Sequence, residues 1–257
     1  MIIGVFSDVH GNVGILEQGV EWLRAQGADQ LVFLGDLFAD GGWNRECLRL
    51  LSREGAHLLL GQNDTAGAEL LDPDSRQDFF NMAQPRLRLG WNGEILCSHT
   101  TTDPSVILEG HGIWTTAYLD NIEKAAAQFH VESFFIFFFG HTHNAVIYEQ
   151  RDPESQPITI PIQNNTRVIL CPRHRYLINP GSISGIINPD EASPGGNNQK
   201  RIYPSVAVLD TEKKWLRFRY LAPIPARSET RVISGVDSQA EPEPGSTGAM
   251  VAGRKRQ

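Results

Sequence analysis

The sequence predicts an α/β protein, and three features carry that expectation: unbroken apolar runs, amphipathic stretches between them, and turns set at the run ends. Ile2–Phe6, Leu31–Leu34 and Ala56–Leu60 are short runs without clear alternation, each stopped by glycine or polar residues. Runs of that length suit strands buried on both faces. In Ile15–Gln26, Ile15, Leu16, Gly19, Val20 and Leu23 recur at three- and four-residue steps, the spacing of one helix face. Asn44–Arg53 repeats this more briefly, with Leu48 and Leu51 facing inward. The resulting order is β-α-β-α-β. In such sheets, site residues gather in loops beyond the strands' carboxyl ends, where Asp8, Asp36 and Gly61–Asp64 fall.

Residues 66–86 read as helical, interrupted at Asp72-Pro73-Asp74 and Pro85. Leu87–Gly90 and Glu94–Ser98 flank Trp91-Asn92-Gly93, whose Asn-Gly pair signals a hairpin. Ile113–Phe129 reads as a helix, with Ile113, Ala117, Leu119, Ile122 and Ala126 toward the core. Phe134–Phe139 and Ala145–Tyr148 read as strands on either side of a Gly140–His143 turn. Residues 151–174, rich in Pro, Asn and Gln, are expected to form an extended surface excursion. Tyr176–Ile178, Ser205–Asp210 and Trp215–Leu221 are expected to complete a second sheet, the last two joined by a charged turn at Thr211–Lys214. From Ser234 the composition turns to Pro, Gly, Ser and Glu with a basic end, which cannot build a core. The expectation is one domain over residues 1–233 and a disordered tail over 234–257.

The formal net charge is -7, which argues against passive binding to duplex nucleic acid or to membrane phosphate. Cys47, Cys97 and Cys171 are widely spaced and odd in number, so they read as reduced thiols and not as a disulfide framework or a zinc site. The first residues are strand-like and not those of a secretory signal, and the longest apolar run, Phe134–Phe139, is too short to span a bilayer. These features point to a cytoplasmic enzyme.

Five separated pieces bring metal-binding side chains to turns: Asp8-Val9-His10, Gly35-Asp36, Gly61-Gln62-Asn63-Asp64, Ser98-His99 and Gly140-His141-Thr142-His143. Each alone has an ordinary explanation. Gly-Asp caps turns, His99 could be a core histidine, and Asp8 could cap the helix that follows. In sequence, each at a strand end, they supply carboxylates, carboxamides and four imidazoles, enough for two divalent ions sharing one ligand. The two-residue spacing of Asp8 and His10, and of His141 and His143, would project each pair to one side of extended backbone. Mixed nitrogen and oxygen donors without thiolate suit Mn²⁺, Fe, Zn²⁺ or Ni²⁺ better than Ca²⁺. His57, His111, His130 and His174 lie outside the motifs and read as structural or surface residues. Arg173-His174-Arg175 reads as a solvated face.

At these residues the chain resembles the calcineurin-like metallophosphoesterase superfamily, whose pattern is Asp-x-His, Gly-Asp, Gly-Asn-His/Cys-Asp, His, then Gly-His-x-His. The resemblance runs from Ile2 to Asn144, and Asn179-Pro180-Gly181-Ser182 is similar to a segment of the small bacterial and archaeal phosphodiesterase branch. It implies two mixed β-sheets packed as a sandwich and flanked by helices, in four layers, with a dinuclear site at one edge. Carried over by position, Asp8, His10 and His143 hold one metal. His99, His141 and a third-motif carboxamide hold the other, and Asp36 bridges. The third motif departs from the pattern, with Gln62 at the Asn position and Asn63 at the His or Cys position. Either amide is a possible ligand; the shorter arm favours Asn63.

The resemblance implies a phosphoesterase whose paired ions, roughly 3.5–4 Å apart, bridge a hydroxide and clamp the phosphoryl oxygens, with Mn²⁺ the favoured metal. No imidazole stands at the usual proton-donor position, which disfavours poor leaving groups and favours diester over monoester substrates, small or nucleotide-like. Asp64 and Asn12 are candidates to support the ligands, Asp64 by orienting a histidine. Trp43 and Trp114 are candidates for base stacking. Alternatives are a phosphomonoesterase, a dinucleoside polyphosphate hydrolase, or an interaction scaffold like the retromer subunit that resembles this branch.

Overall fold

The protein is described by a computed structural model covering residues 1–90, 93–100, 119, 121–131, 133–185 and 203–222. Its N-terminal apolar runs form the middle of a seven-stranded sheet. β1 (Ile2–Phe6), β2 (Gln30–Phe33), β3 (His57–Leu59) and β4 (Ala83–Gln84) pair in parallel. On the other side of β1 lie β12 (Ser205–Asp210), β13 (Trp215–Tyr220) and β10 (Arg167–Ile169), all antiparallel to their neighbours. The second sheet has six strands, in the order β5 (Arg86–Leu89), β6 (Ile95–Ser98), β7 (Ile136–Phe138), β11 (Arg175–Asn179), β8 (Val146–Gln150) and β9 (Ile158–Ile160). It too mixes parallel and antiparallel pairs.

The alternation of side chains decides the layers. Ile3 and Val5 of β1 face the second sheet, meeting Ile136, Phe138 and Ile178 in one core. Phe6, Phe33 and Leu58 point the other way, under α1 (Val13–Ala25), α2 (Asn44–Arg53), α3 (Asp64–Ala68) and α4 (Pro73–Met82). On the far face of the second sheet, Phe137, Phe139 and Leu177 pack against Ala125 and Phe129 of α5 (Ile122–Val131). Phe134, Phe137, Phe138 and Phe139 are therefore buried across the two faces, and each of these rings contributes about 1.5–3 kcal/mol. The result is the four-layer α/β sandwich that the resemblance implies.

Local chemistry sets the helix starts. Asn12 caps α1 by accepting from Ile15 N. Asp72 caps α4 by accepting from Ser75 N, with Pro73 in the first turn. The region read as helical over 66–86 thus divides into α3, α4 and the short β4.

Several expectations are corrected. β12 and β13 belong to the first sheet, because β1 offers a free edge and Ile3 pairs with Leu209. Only that long-range pairing decides which sheet the hairpin joins. The 151–174 segment is an extended surface excursion, and it carries β9 to the edge of the second sheet and β10 to the edge of the first. Both strands are largely exposed, which explains their polar composition. In α5 the buried residues are Ala125 and Phe129, while Ile122 is exposed. Ile113, Ala117, Trp91 and Trp114 lie outside the described residues, as does the expected boundary at 233; the described residues fall in one unit, Met1–Ile224. Cys47 and Cys97 are buried thiols. Among the described residues, no helix is long and apolar enough to cross a membrane.

Candidate metal centre

Asp8 and His10 follow β1, Asp36 follows β2, and Gly61–Asp64 follow β3, all at carboxyl ends of parallel strands. His99 follows β6, and His141 and His143 follow β7, at the matching ends of the second sheet. Backbone bonds tie these loops together. Asp8 N donates to Gly35 O at 3.0 Å, Gly11 N to Leu37 O at 2.8 Å and Gly140 N to His99 O at 2.8 Å. Between the sheets, His141 N donates to Asp8 Oδ2 at 3.1 Å.

The ligand backbones are not extended, as the two-residue spacings suggest. Asp8, His10, Asp36, His141 and His143 have φ of 55°, 45°, 60°, 68° and 58°, all left-handed. For non-glycine residues this costs about 1–3 kcal/mol each and persists only where surroundings enforce it. Here the enforcing contacts are the loop-to-loop bonds above.

The side chains form two groups. Asp8, His10 and His143 each offer an atom within 4.8 Å of the others, and so do Asp36, His99 and His141. His143 Nε2 lies 3.3 Å from Asp8 Oδ1, and His10 Nε2 lies 3.2 Å from His143 Nε2. His99 Nε2 is 3.5 Å from Asp36 Oδ2 and 4.0 Å from Asp8 Oδ1, so the groups adjoin. All six are buried except His10, which is partly exposed.

This donor set fits cations. His99 Nδ1 lies 2.9 Å from Leu34 O, which can only accept, so Nδ1 carries the ring hydrogen. The opposite nitrogen, Nε2, then faces carboxylate and carboxamide oxygens. Burial opposes charge on Asp8 and Asp36, but His143 beside the first and His99 beside the second hold both carboxyls below the usual range. Burial and the neighbouring His99 push His141 down to about 4. At neutral pH the carboxylates are charged and His141 is neutral, the forms that bind metal.

The profile of the calcineurin-like phosphoesterase superfamily domain matches residues 1–214. The chain belongs to that superfamily. Two groups of possible metal ligands stand within the matched residues. A metallophosphoesterase from Sphaerobacter thermophilus has a similar fold, with TM-score 0.65 and 22% identity over 86% of this chain and 89% of that one. An archaeal phosphodiesterase aligns with TM-score 0.49 and 18% identity over 86% of this chain and 100% of that one. The YfcE phosphoesterase of E. coli aligns with TM-score 0.42 and 18% identity over 82% and 89%. No curated protein matches.

The third motif of this superfamily member divides its labour. Asn63 presents both its backbone N and its Nδ2 to Asp36, at 2.9 Å to Oδ1 and 2.8 Å to Oδ2. Gln62 Oε1 lies 2.5 Å from His99 Nε2. Asp64 does not orient a histidine. It is buried and accepts from the backbone N of Asp36 at 2.9 Å, Leu37 at 2.7 Å and Gly61 at 2.7 Å, binding the loops after β2 and β3 together. Burial and the neighbouring Asp36 raise its pKa to about 7 despite these donors. Gly61 is required for this approach, since a Cβ there would sit 2.1 Å from Asp36 Oδ1 and 2.3 Å from Asp36 N.

Sequence reasoning missed the residues that brace the histidine loop. Asn179 Nδ2 donates to Gly140 O at 2.7 Å and to Thr142 Oγ1 at 3.0 Å, while its Oδ1 accepts from Gly181 N at 2.8 Å. Ser182 Oγ donates to Asp8 O at 2.9 Å, and Ser182 N to His143 O at 3.2 Å. The Asn-Pro-Gly-Ser segment thus fastens both metal loops; the available signal was the motif itself. Arg175 is not part of a solvated face: it donates to Phe134 O at 3.0 Å and lies over that ring. His174 pairs with Glu149 at 2.7 Å, away from the ligand groups. Trp43 is exposed, its backbone bonded to Gly11 O at 2.8 Å beside the His10 loop.

Proposed function

We propose that the protein is a dinuclear metal-dependent phosphodiesterase acting on a small or nucleotide-like ester, with Mn²⁺ as the metal and the cytoplasm as its compartment. Asp8, His10 and His143 would hold one ion; Asp36, His99, His141 and a third-motif carboxamide would hold the other, with Asp36 between. Two divalent ions there supply activation of water and neutralisation of phosphoryl oxygens. The chain itself holds Asp8 and Asp36 charged and His141 neutral, fixes Asp36 through Asn63, and leaves His10 as the partly exposed edge by which substrate reaches the centre. Cys47 and Cys97 offer no competing nucleophile: both are buried, which raises their pKa values.

The observation that carries the diester reading is Asn63, at a position where the superfamily pattern has His or Cys. Its amide donates to Asp36 but has no titratable proton to pass to a leaving alkoxide at neutral pH. Leaving groups must therefore depart largely unassisted. With added Mn²⁺, a bis-aryl phosphate is expected to be hydrolysed faster than the matching mono-aryl phosphate. Activity confined to the monoester would overturn the diester reading. An interaction scaffold would instead retain less than one ion per chain after Mn²⁺ loading, no more than an Asp36→Asn control.

A further inference from the structure

Resting on the dinuclear reading above, we infer that Gln62 supplies the carboxamide oxygen of the second cation site, and that Asn63 is a positioning residue for Asp36. The two amides sit side by side but are committed differently. Gln62 directs an oxygen at His99 Nε2, 2.5 Å away, on the ring edge facing Asp36 Oδ2 and Asp8 Oδ1. Because His99 Nδ1 is engaged by Leu34 O, that edge is where the ring's coordinating lone pair lies in the neutral tautomer. An imidazole nitrogen, two carboxylate oxygens and a carboxamide oxygen facing one another are reconciled by a cation; in its absence a proton on Nε2 takes that place.

Asn63 is held away from this role from two directions. A carboxylate only accepts, so the part of Asn63 at Asp36 Oδ2 is its NH₂ group, and the backbone N beside it grips Oδ1. Its backbone is fixed as well, with φ -85° and ψ -12° at the N-cap of α3, where its carbonyl accepts from Gly67 N at 2.8 Å. Turning its oxygen toward the ligands would break the bond to Asp36. The extra methylene of Gln62 is what lets the neighbouring residue reach His99 from this turn. The family's shorter arm is thus replaced here by a longer one, and the adjacent amide steadies the shared carboxylate.

Metal content and binding isotherms of the full chain, stripped and reloaded with Mn²⁺, test this with Gln62→Ala, Gln62→Glu and Asn63→Ala. Asn63→Ala is expected to keep two ions per chain. Gln62→Ala is expected to keep one and to bind the second at least about tenfold more weakly, and Gln62→Glu to recover it. Melting of each stripped variant near the wild-type temperature separates ligand loss from misfolding, and Gln62→Glu keeps the test decisive if the alanine variant does not fold. Loss of the second ion in Asn63→Ala with both retained in Gln62→Ala would overturn the assignment, as would full retention in both. A wild-type chain that takes up no second ion would overturn the dinuclear reading and this inference with it.

Discussion

At the scale of single residues, the centre is held together by charge among buried side chains. His99 is fully buried, which opposes its protonation, yet Asp36 and then Asp8 outweigh that cost and raise its pKa from 6.5 to about 9. The sign of the consequence is fixed. Its proton stabilises the metal-free fold fully below about pH 6.5, and that contribution disappears as pH rises through about 9. An incoming ion must displace the same proton, so Mn²⁺ affinity should climb by up to about tenfold per pH unit and level off near pH 9. Calorimetric titrations across that range check this; a flat profile would mean that His99 releases no proton on binding. The identity of the ligands was legible at this scale, because Asp, His and amide side chains at strand ends have few other uses in combination. Their left-handed backbones were not, since nothing in Asp8 or His143 as residue types calls for positive φ.

At the scale of elements, loops at strand ends do the assembling, and Asn179 at the end of β11 is the brace. Asn179→Ala would leave Gly140 O, Thr142 Oγ1 and Gly181 N without this partner inside the protein. The expected cost is roughly 2–4 kcal/mol of stability. Mn²⁺ affinity should fall at least about tenfold, as the His141–His143 loop loosens. Thermal melting and Mn²⁺ titration of the variant measure both, and unchanged affinity would remove Asn179 from the support of the site. Strand and helix types were mostly readable, since unbroken apolar runs and three- and four-residue steps report burial directly. The sheet joined by β12 and β13 was not readable. A hairpin of Val206, Val208 and Phe218 suits either sheet, and pairing with β1 some 200 residues away decides it.

At the scale of the molecule, two divalent ions would bind an acidic chain of net charge -7, at an edge where both sheets end. Ions that bind only the folded state stabilise it by about 2.7 kcal/mol at a hundredfold excess over Kd, or roughly 5–10 °C in a domain of this size. Mn²⁺ should therefore raise the melting temperature in a concentration-dependent way, EDTA should reverse it, and Asp36→Asn should abolish it. Indifference to all three would sink the metal-dependent reading. By itself the sequence determined the inventory: which side chains reach strand ends, the alternation of buried elements, and the motif order that marks the superfamily. Tertiary structure alone decided how closely the two ligand groups adjoin, the left-handed backbones that present them, the separate commitments of Gln62 and Asn63, and the bracing by Asn179. The reason is physical: residue type and local spacing set what a segment can bury or bind, whereas distances of a few ångströms between remote loops depend on how the two sheets pack.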